Sequence, residues 1–131
     1  MAPKSNKTLG NNIYSKTKQK IATNDKSNVI YKIECSDCNK SYIGQTKNYL
    51  QNRLNKHKND IKRGLQKTAL SSHAIENLHK FNFENTKILS QEENYNKRLF
   101  VEMAEILKHN TVNFKTDINN LSQIYHNIIK N

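Results

Sequence analysis

Two short segments rich in β-branched and aromatic residues, joined by a polar turn, constrain the fold of this chain more than any other feature. Residues 29–33 (VIYKI) and 41–44 (SYIG) have the composition of β-strands. Residues 36–39 (SDCN) between them are of the types that favour tight turns. The sequence therefore predicts a β-hairpin, with the folded region beginning near Asn28.

A helix over residues 47–63 is predicted to follow the hairpin. Its apolar positions recur at helical spacing and define a buried face of Leu50, Leu54, His57, Ile61 and Leu65. Thr46 is the predicted N-cap, and Gly64 marks the predicted end of the helix. The other faces are basic and are opposed by Asp60 alone, which favours a nucleic-acid-binding surface of Lys47, Lys56, Lys58, Lys62 and Arg63.

The remaining segments complete an α/β pattern. Residues 71–79 predict a short helix and residues 85–89 a third strand. Residues 92–109 predict the strongest helix, with a buried stripe of Leu99, Phe100, Met103, Ile106 and Leu107. Residues 110–120 are loop-like, and residues 121–129 predict a final short helix. The order β-β-α-α-β-α-α indicates an α/β fold in which helices surround a small sheet that starts with a β-hairpin.

Length and charge bound the class of protein. The 131 residues fit one domain at 28–131, preceded by a polar, basic segment at 1–27 that we expect to be a flexible arm or linker. The net charge of +11 favours a polyanionic partner, although a solvated basic surface would have the same composition. No apolar run approaches the roughly 20 residues of a membrane span, and no secretory signal is evident, so we expect an intracellular protein without a membrane partner.

The strand and helix residues together resemble the signature of GIY-YIG nucleases. The tripeptides at 29–31 (VIY) and 42–44 (YIG) are similar to the two that name the family, although Val29 replaces the first glycine. Further family positions follow in order along the chain, and the set is Tyr31, Tyr42, Arg53, His57, Glu102 and Asn113. Arg98 lies one turn before Glu102. The nearest resemblance is to the endonuclease domain of Penelope-like retroelements.

The resemblance implies that these six residues are catalytic. Glu102 would ligate one Mg²⁺ or Mn²⁺ ion, since such ions take oxygen ligands and keep most of their waters. Arg53 offers a planar fork of donors to a phosphate. Tyr31 is implied as the general base for the attacking water and Tyr42 as a ligand of phosphate or water, whereas strand tyrosines of this kind also occur as core aromatics.

Two of the implied roles stay open. His57 would either share the proton path of Tyr31 or hold that tyrosine or the phosphate. Asn113 is expected to orient Glu102 or the water, with Asn119 and Asn120 as rival assignments.

The two cysteines of the chain, Cys35 and Cys38, lie on the predicted turn. Their spacing in a reducing compartment is typical of one side of a tetrahedral zinc site rather than of a disulfide. His73 and His79 would complete a structural zinc site, and the Penelope-like domains have Cys and His residues in this order. The alternative is two reduced cysteines beside unrelated histidines. His109 and His126 are expected to be surface residues.

The favoured interpretation is a metal-dependent DNA endonuclease acting in the nucleus. In a retroelement, its nick would supply the 3′ hydroxyl that primes reverse transcription, with a reverse transcriptase and its RNA as partners. Because no reverse transcriptase fits in 131 residues, we expect either a fragment of a larger protein or a standalone relative. The alternative is a zinc-stabilised basic module that binds nucleic acid without cutting it, which would leave the ordered family residues unexplained.

Overall fold

The computed structural model describes residues 25–118 and Ile128, and it contains the predicted hairpin. Strand β1 (Val29–Glu34) pairs antiparallel with β2 (Ser41–Thr46) on one side. It pairs antiparallel with β3 (Lys87–Gln91) on the other, so the sheet order is β2-β1-β3. The register of β1 against β3 shifts between Ile30 and Tyr31. Irregularities of this kind bend a strand and change the direction of its side chains.

Three α-helices accompany the sheet within residues 25–118, and the predicted α/β fold is confirmed. They are α1 (Leu50–Lys62), α2 (Ala69–Asn77) and α3 (Tyr95–Lys108). Two 3₁₀ turns, at Phe83–Asn85 and Lys115–Ile118, lie before β3 and after α3. Most of the expected arm at 1–27 and of the helix predicted at 121–129 lies outside the described residues, as do Asn119, Asn120 and His126.

The sheet lies between helices because both of its faces are apolar. Side chains on one face of the hairpin join a core with α1 and α2 that includes Tyr31, Tyr42, Leu54 and Leu70. Alternate residues point to the opposite face of a strand. Accordingly, Ile30 and Ile43 pack on that other face against Ile106 of α3. No helix among the described residues is long and apolar enough to cross a membrane.

The predicted start of α1 is wrong, whereas its predicted end is confirmed. Thr46 does not cap the helix, because its hydroxyl accepts a hydrogen bond from the backbone N–H of Asn48, at 3.1 Å, inside a local turn. Tyr49 is the N-cap residue instead. Gly64 follows the helix with a φ of 72°, a left-handed conformation that glycine adopts at little steric cost.

Asp60 and Leu107 differ most in burial from the sequence prediction. Four residues that were predicted to be buried are half-buried: Ile61, Leu65, Leu99 and Phe100. Asp60 is only 4% exposed, although we expected it on the polar side of α1. It lies three residues after His57 and therefore shares the buried face of the helix. Leu107 is 60% exposed, because Met103 and Ile106 occupy the buried face of α3 and the apolar stripe is narrower than predicted.

Candidate active site and metal centre

Tyr31 is the buried centre of a polar group formed between β1 and α1. Its hydroxyl lies 2.8 Å from Nε2 of His57 and accepts a hydrogen bond from Nε of Arg53 at 3.3 Å. Arg53 and His57 are four residues apart and so project from one side of α1. The structure therefore brings together three of the six predicted catalytic residues through direct hydrogen bonds.

The position of the Tyr31 hydroxyl depends on Gly44. The two residues are partners across the hairpin. A Cβ atom built at Gly44 would lie 2.5 Å from the hydroxyl oxygen of Tyr31 and 2.9 Å from the ring of Tyr42. Because real side chains do not approach that closely, glycine at this position is what allows both tyrosines their present positions.

Tyr42 completes an aromatic group around His57. The ring centroid of Tyr42 lies 5.4 Å from that of His57 in an edge-on arrangement and 6.3 Å from that of Tyr31. Tyr42 is buried, and burial raises the pKa of its hydroxyl well above the ordinary value. Both tyrosines thus pack in the core and also contribute hydroxyl groups to a polar site. Their interpretation as core aromatics is therefore compatible with their interpretation as site residues.

Burial sets the protonation states of the Tyr31–His57 pair. It raises the pKa of Tyr31 to about 12, although the nearby positive charge of Arg53 acts in the opposite direction. Burial, together with the positive charges of Arg53 and Lys56, lowers the pKa of His57 to about 3. At neutral pH the pair consists of a neutral phenol and a neutral imidazole, a combination that can share a proton.

Glu102 lies on α3, and the charge of Arg53 affects the pKa of its carboxyl group. Burial and the negative charge of Asp117 raise the pKa of Glu102 to about 7, against the positive charges of Arg53 and Arg98. A carboxyl group with this pKa is half ionised at neutral pH, and a bound cation would favour its charged form. Glu102 is therefore a suitable oxygen ligand for a divalent metal ion.

The side-chain amide of Asn113 binds β2 and Asp117. Its Oδ1 accepts from the backbone N–H of Ile43 at 3.0 Å, and its Nδ2 donates to the carbonyl of the same residue at 2.9 Å. Nδ2 also lies 3.1 Å from a carboxylate oxygen of Asp117. Asn113 thus holds the strand that carries Tyr42 and Gly44, and it fixes a carboxylate whose charge acts on Glu102.

Two residues near the site, Asp117 and Arg98, were not among the six predicted catalytic residues. Asp117 contributes the second carboxylate, and its spacing of four from Asn113 was the available signal. Arg98 is 2% exposed and donates from Nε to Gln45 at 2.7 Å and from Nη1 to the carbonyl of Glu92 at 3.1 Å. A buried arginine held by neutral oxygens joins α3 to β2 and keeps a positive charge beside Glu102.

Four possible metal ligands meet at the tip of the hairpin. The ligand atoms of Cys35, Cys38, His73 and His79 all lie within 4.8 Å of one another. Sγ of Cys35 lies 3.7 Å from Nε2 of His73 and 3.5 Å from Nδ1 of His79, and Sγ of Cys38 lies 3.5 Å from Nε2 of His73. Zinc with bonds of roughly 2.3 Å to sulfur and 2.0 Å to nitrogen separates such atoms by roughly 3.6 Å. The donors therefore fit a tetrahedral zinc ion.

The cluster joins parts of the chain that are distant in sequence. Cys35 forms an isolated antiparallel bridge with Phe81, and the backbone N–H of Ser36 donates to the carbonyl of Lys80 at 2.7 Å. Asp37 accepts from the N–H of Lys80 at 2.8 Å. A metal ion here would reinforce an existing connection between the hairpin and the segment after α2.

The comparison with known families agrees with this arrangement. The family model of the GIY-YIG catalytic domain matches residues 27–113. The chain belongs to the GIY-YIG family. Membership implies nuclease activity, with DNA as the substrate. No curated protein and no solved structure matches the chain.

Exposed basic residues of the GIY-YIG domain lie on and around α1, and two of them, Lys47 and Lys56, line a cavity with Arg53. The five basic residues predicted to bind DNA are all exposed: Lys47, Lys56, Lys58, Lys62 and Arg63. A cavity of about 290 Å³ adjoins the site and is lined by Gln45, Thr46, Lys47, Asn48, Asn52, Arg53 and Lys56. Positive charge and hydrogen-bonding groups are thus available to a phosphate backbone that approaches Arg53.

Proposed function

We propose that this chain is a metal-dependent endonuclease that hydrolyses a DNA phosphodiester bond. The proposal rests on one observation: Tyr31, Arg53 and His57 form a single hydrogen-bonded group, and the charge of Arg53 acts on the Glu102 carboxylate. Family membership supports the nuclease reaction. The geometry supports the particular residues.

Each of these residues has a chemical role in the proposed reaction. Arg53 donates to a non-bridging phosphate oxygen and stabilises the charge that develops there. The Tyr31 hydroxyl accepts the proton of the attacking water as its own proton passes to His57, 2.8 Å away. Tyr42 binds the phosphate or the water. Glu102 would hold Mg²⁺ or Mn²⁺, which supplies Lewis-acid stabilisation when bound.

Two further residues position the proposed catalytic group. Gly44 leaves space for the Tyr31 hydroxyl. Asn113 holds the backbone of Ile43, the residue between Tyr42 and Gly44. Neither residue needs to touch the substrate, so we assign both to positioning rather than to the chemical step.

We propose that DNA binds along the exposed basic side of α1. The proposed contacts are Lys47, Lys56, Lys58, Lys62 and Arg63. Lys47 and Lys56 also line the cavity that contains Arg53, so a strand in contact with them would pass the catalytic group. Lysine contacts to phosphates carry little sequence information, and we therefore propose modest sequence preference.

We propose that Cys35, Cys38, His73 and His79 hold a structural zinc ion. Four protein ligands leave no open coordination position, which is the pattern of structural rather than catalytic zinc sites. The ion would stabilise the hairpin that carries both tyrosines.

The order of these Cys and His residues also supports the resemblance to Penelope-like retroelement nucleases. On that basis we propose that the nick primes reverse transcription in the nucleus, with a reverse transcriptase and its RNA as partners.

Cleavage of supercoiled plasmid tests the nuclease proposal. Wild-type protein with Mg²⁺ or Mn²⁺ should nick the plasmid, and Glu102→Ala should reduce the rate by at least about 100-fold while retaining DNA binding. Glu105→Ala is the matched control, because Glu105 lies one turn away on α3 and pairs with Lys108 instead. Equal cutting by wild type and Glu102→Ala would contradict the assignment of Glu102.

A zinc-stabilised module that binds nucleic acid without cutting is the second candidate, favoured by the basic surface and the Cys/His cluster. Its signature would be DNA binding by wild type without nicking under any divalent metal. It would also predict that Tyr31→Phe and Arg53→Lys leave the function of the protein unchanged, because the buried hydrogen-bonded group would then have only a structural role.

A further inference from the structure

Two buried polar atoms on α1 are not used by the proposed mechanism. They are Nδ1 of His57 and Oδ2 of Asp60, and neither has a hydrogen-bond partner within the described part of the protein. His57 is fully buried and Asp60 is 4% exposed. Leaving such an atom unpaired costs about 1–3 kcal/mol, so each of the two atoms calls for a partner. Their three-residue separation puts them on one side of the helix.

The contacts of Tyr31 indicate which of these atoms carries a proton. The Tyr31 oxygen accepts a hydrogen bond from Nε of Arg53, at 3.3 Å. Its own proton is then best donated to Nε2 of His57, at 2.8 Å. A neutral imidazole that accepts at Nε2 carries its proton at Nδ1. Among residues 25–118, His57 Nδ1–H is therefore a donor without a partner, and the Asp60 carboxylate oxygen on the same helix face is an acceptor without one.

We propose that a buried water molecule joins Nδ1 of His57 to Oδ2 of Asp60, and that Asp60 is a positioning residue that keeps His57 ready to accept a proton from Tyr31. The inference deepens the proposed function, on which its catalytic part rests. A buried water needs polar partners on more than one side, and this donor and acceptor supply two of them.

Along the resulting path, every N–H or O–H bond that breaks is matched by one that forms. The Tyr31 O–H bond breaks and an Nε2–H bond forms on His57. The Nδ1–H bond of the same ring breaks, and its proton passes through the water to the carboxylate of Asp60. As the Tyr31 oxygen takes up the proton of the attacking water, the group ends as a neutral phenol beside Arg53, a neutral imidazole and a neutral carboxyl group. Because burial makes a positively charged His57 unfavourable, a path that leaves the ring neutral suits this site.

Nitrogen-15 NMR of the histidine rings tests the positions of the protons directly. Protein labelled at histidine should show His57 as the Nδ1–H tautomer, with His57→Gln identifying the signal. Asp60→Asn keeps the shape of the side chain but replaces one of the two acceptor oxygens by an NH₂ donor and removes the negative charge, so it should raise the fraction of the Nε2–H tautomer at least several-fold. Asn59→Ala, on the exposed side of the same helix, is the control and should leave the ratio unchanged.

Two results would overturn the proposal: an Nε2–H tautomer in wild type, or a tautomer ratio that Asp60→Asn does not alter. The wild-type spectrum decides even if the variant does not fold. In plasmid nicking, Asp60→Asn should lower kcat about 10-fold with KM unchanged. The two proposals can also fail separately. If wild type shows the Nδ1–H tautomer and Asp60→Asn loses it, the hydrogen-bonded path is supported. If that wild-type protein nevertheless cuts no DNA, the proposed nuclease function is contradicted.

Discussion

The hydroxyl of Tyr31 occupies the space that a side chain at Gly44 would need, directly across the hairpin. A methyl group at position 44 must therefore displace the proposed general base from Arg53 and His57. The pairing register of β1 and β2 thus fixes where the Tyr31 hydroxyl lies relative to Arg53 and His57.

Gly44→Ala should therefore impair catalysis more than folding. A displacement of the hydroxyl by roughly 1 Å should reduce kcat about 100-fold, while overpacking should cost about 1–3 kcal/mol of unfolding free energy. Plasmid nicking and thermal unfolding measure the two effects. Gly64→Ala is the matched control: it has open space around it but a positive φ, so it should cost about 1 kcal/mol and leave the nicking rate unchanged.

The raised pKa of Glu102 predicts a pH-dependent requirement for metal. If Glu102 holds Mg²⁺ as proposed, the ion would have to displace the proton of the carboxyl group below about pH 7. The Mg²⁺ concentration for half-maximal nicking should therefore fall as the pH rises from 5 to 7 and then level off. Titration of nicking with Mg²⁺ at several pH values measures this concentration. A requirement that is constant over that range would contradict Glu102 as the ligand.

The same group predicts a stability effect with a definite sign. The folded-state pKa lies above the usual value of 4.5, so the contribution of Glu102 to stability is complete at low pH and is lost as the pH rises through about 7. In metal-free protein at pH 8, Glu102→Gln should therefore raise the free energy of unfolding, by about 1–2 kcal/mol after allowance for solvent access. Chemical denaturation at pH 5 and pH 8 tests this, with Glu105→Gln as the control.

His57 should not titrate in the range where histidine ordinarily does. Its pKa in the folded protein is lowered from 6.5 to about 3, so its ring signals should be constant between pH 5 and pH 8 in NMR. By linkage, its contribution to stability is present above pH 6.5 and is lost as the pH falls toward 3. A ring signal for His57 that titrates near pH 6.5 would mean that the histidine is solvated rather than bound to Tyr31.

Removal of zinc should destabilise the protein without abolishing its affinity for DNA. We expect one zinc ion per chain by elemental analysis and its loss in His73→Ala. Loss of a structural zinc ion removes a large binding free energy, so Tm should fall by at least about 10 °C. His109→Ala is the control, since this histidine hydrogen-bonds to the carbonyl of Glu105 and lies outside the cluster. Full zinc content in His73→Ala would contradict the ligand set.

The basic side of α1 should account for much of the salt dependence of DNA binding. Each of Lys56→Ala and Lys62→Ala should weaken binding to unrelated DNA sequences by a similar factor and reduce the slope of log K against log salt by about 1. Lys87→Ala, at an exposed position on β3, is the charge-matched control and should leave the slope unchanged. Fluorescence anisotropy at several salt concentrations measures both quantities.

Strand and helix patterns were sufficient to predict the strands and α-helices of residues 25–118, but not all of their boundaries. The hairpin followed from two β-branched segments and a polar turn, and the buried face of α1 followed from its apolar spacing. The start of α1 did not, because Thr46 can either cap a helix or close a local turn, and the backbone contact with Asn48 decides between them. The αL residue Leu78 was also unpredictable, since its side chain is large and 87% exposed.

The site was predictable as a set of residue types and not as a set of contacts. Ordered family positions predicted Tyr31, Arg53, His57 and Glu102 as residues of the candidate site. The hydrogen bonds of Asn113 to Ile43 could not be foreseen, because they join residues 70 apart in sequence. The burial of Asp60 could not be predicted either, because nothing in the sequence distinguishes a buried carboxylate in a basic helix from an exposed one.

The side chain of Asn113 has a further consequence for β2, which lies at an edge of the described sheet. By pairing with both the N–H and the C=O of Ile43, the amide provides the two hydrogen bonds that a neighbouring strand would otherwise form. The chain around Thr111 adds a parallel bridge to Ser41 nearby. An open strand edge invites pairing with other molecules. The residues that hold the proposed catalytic hairpin thus also protect the protein against self-association through this edge.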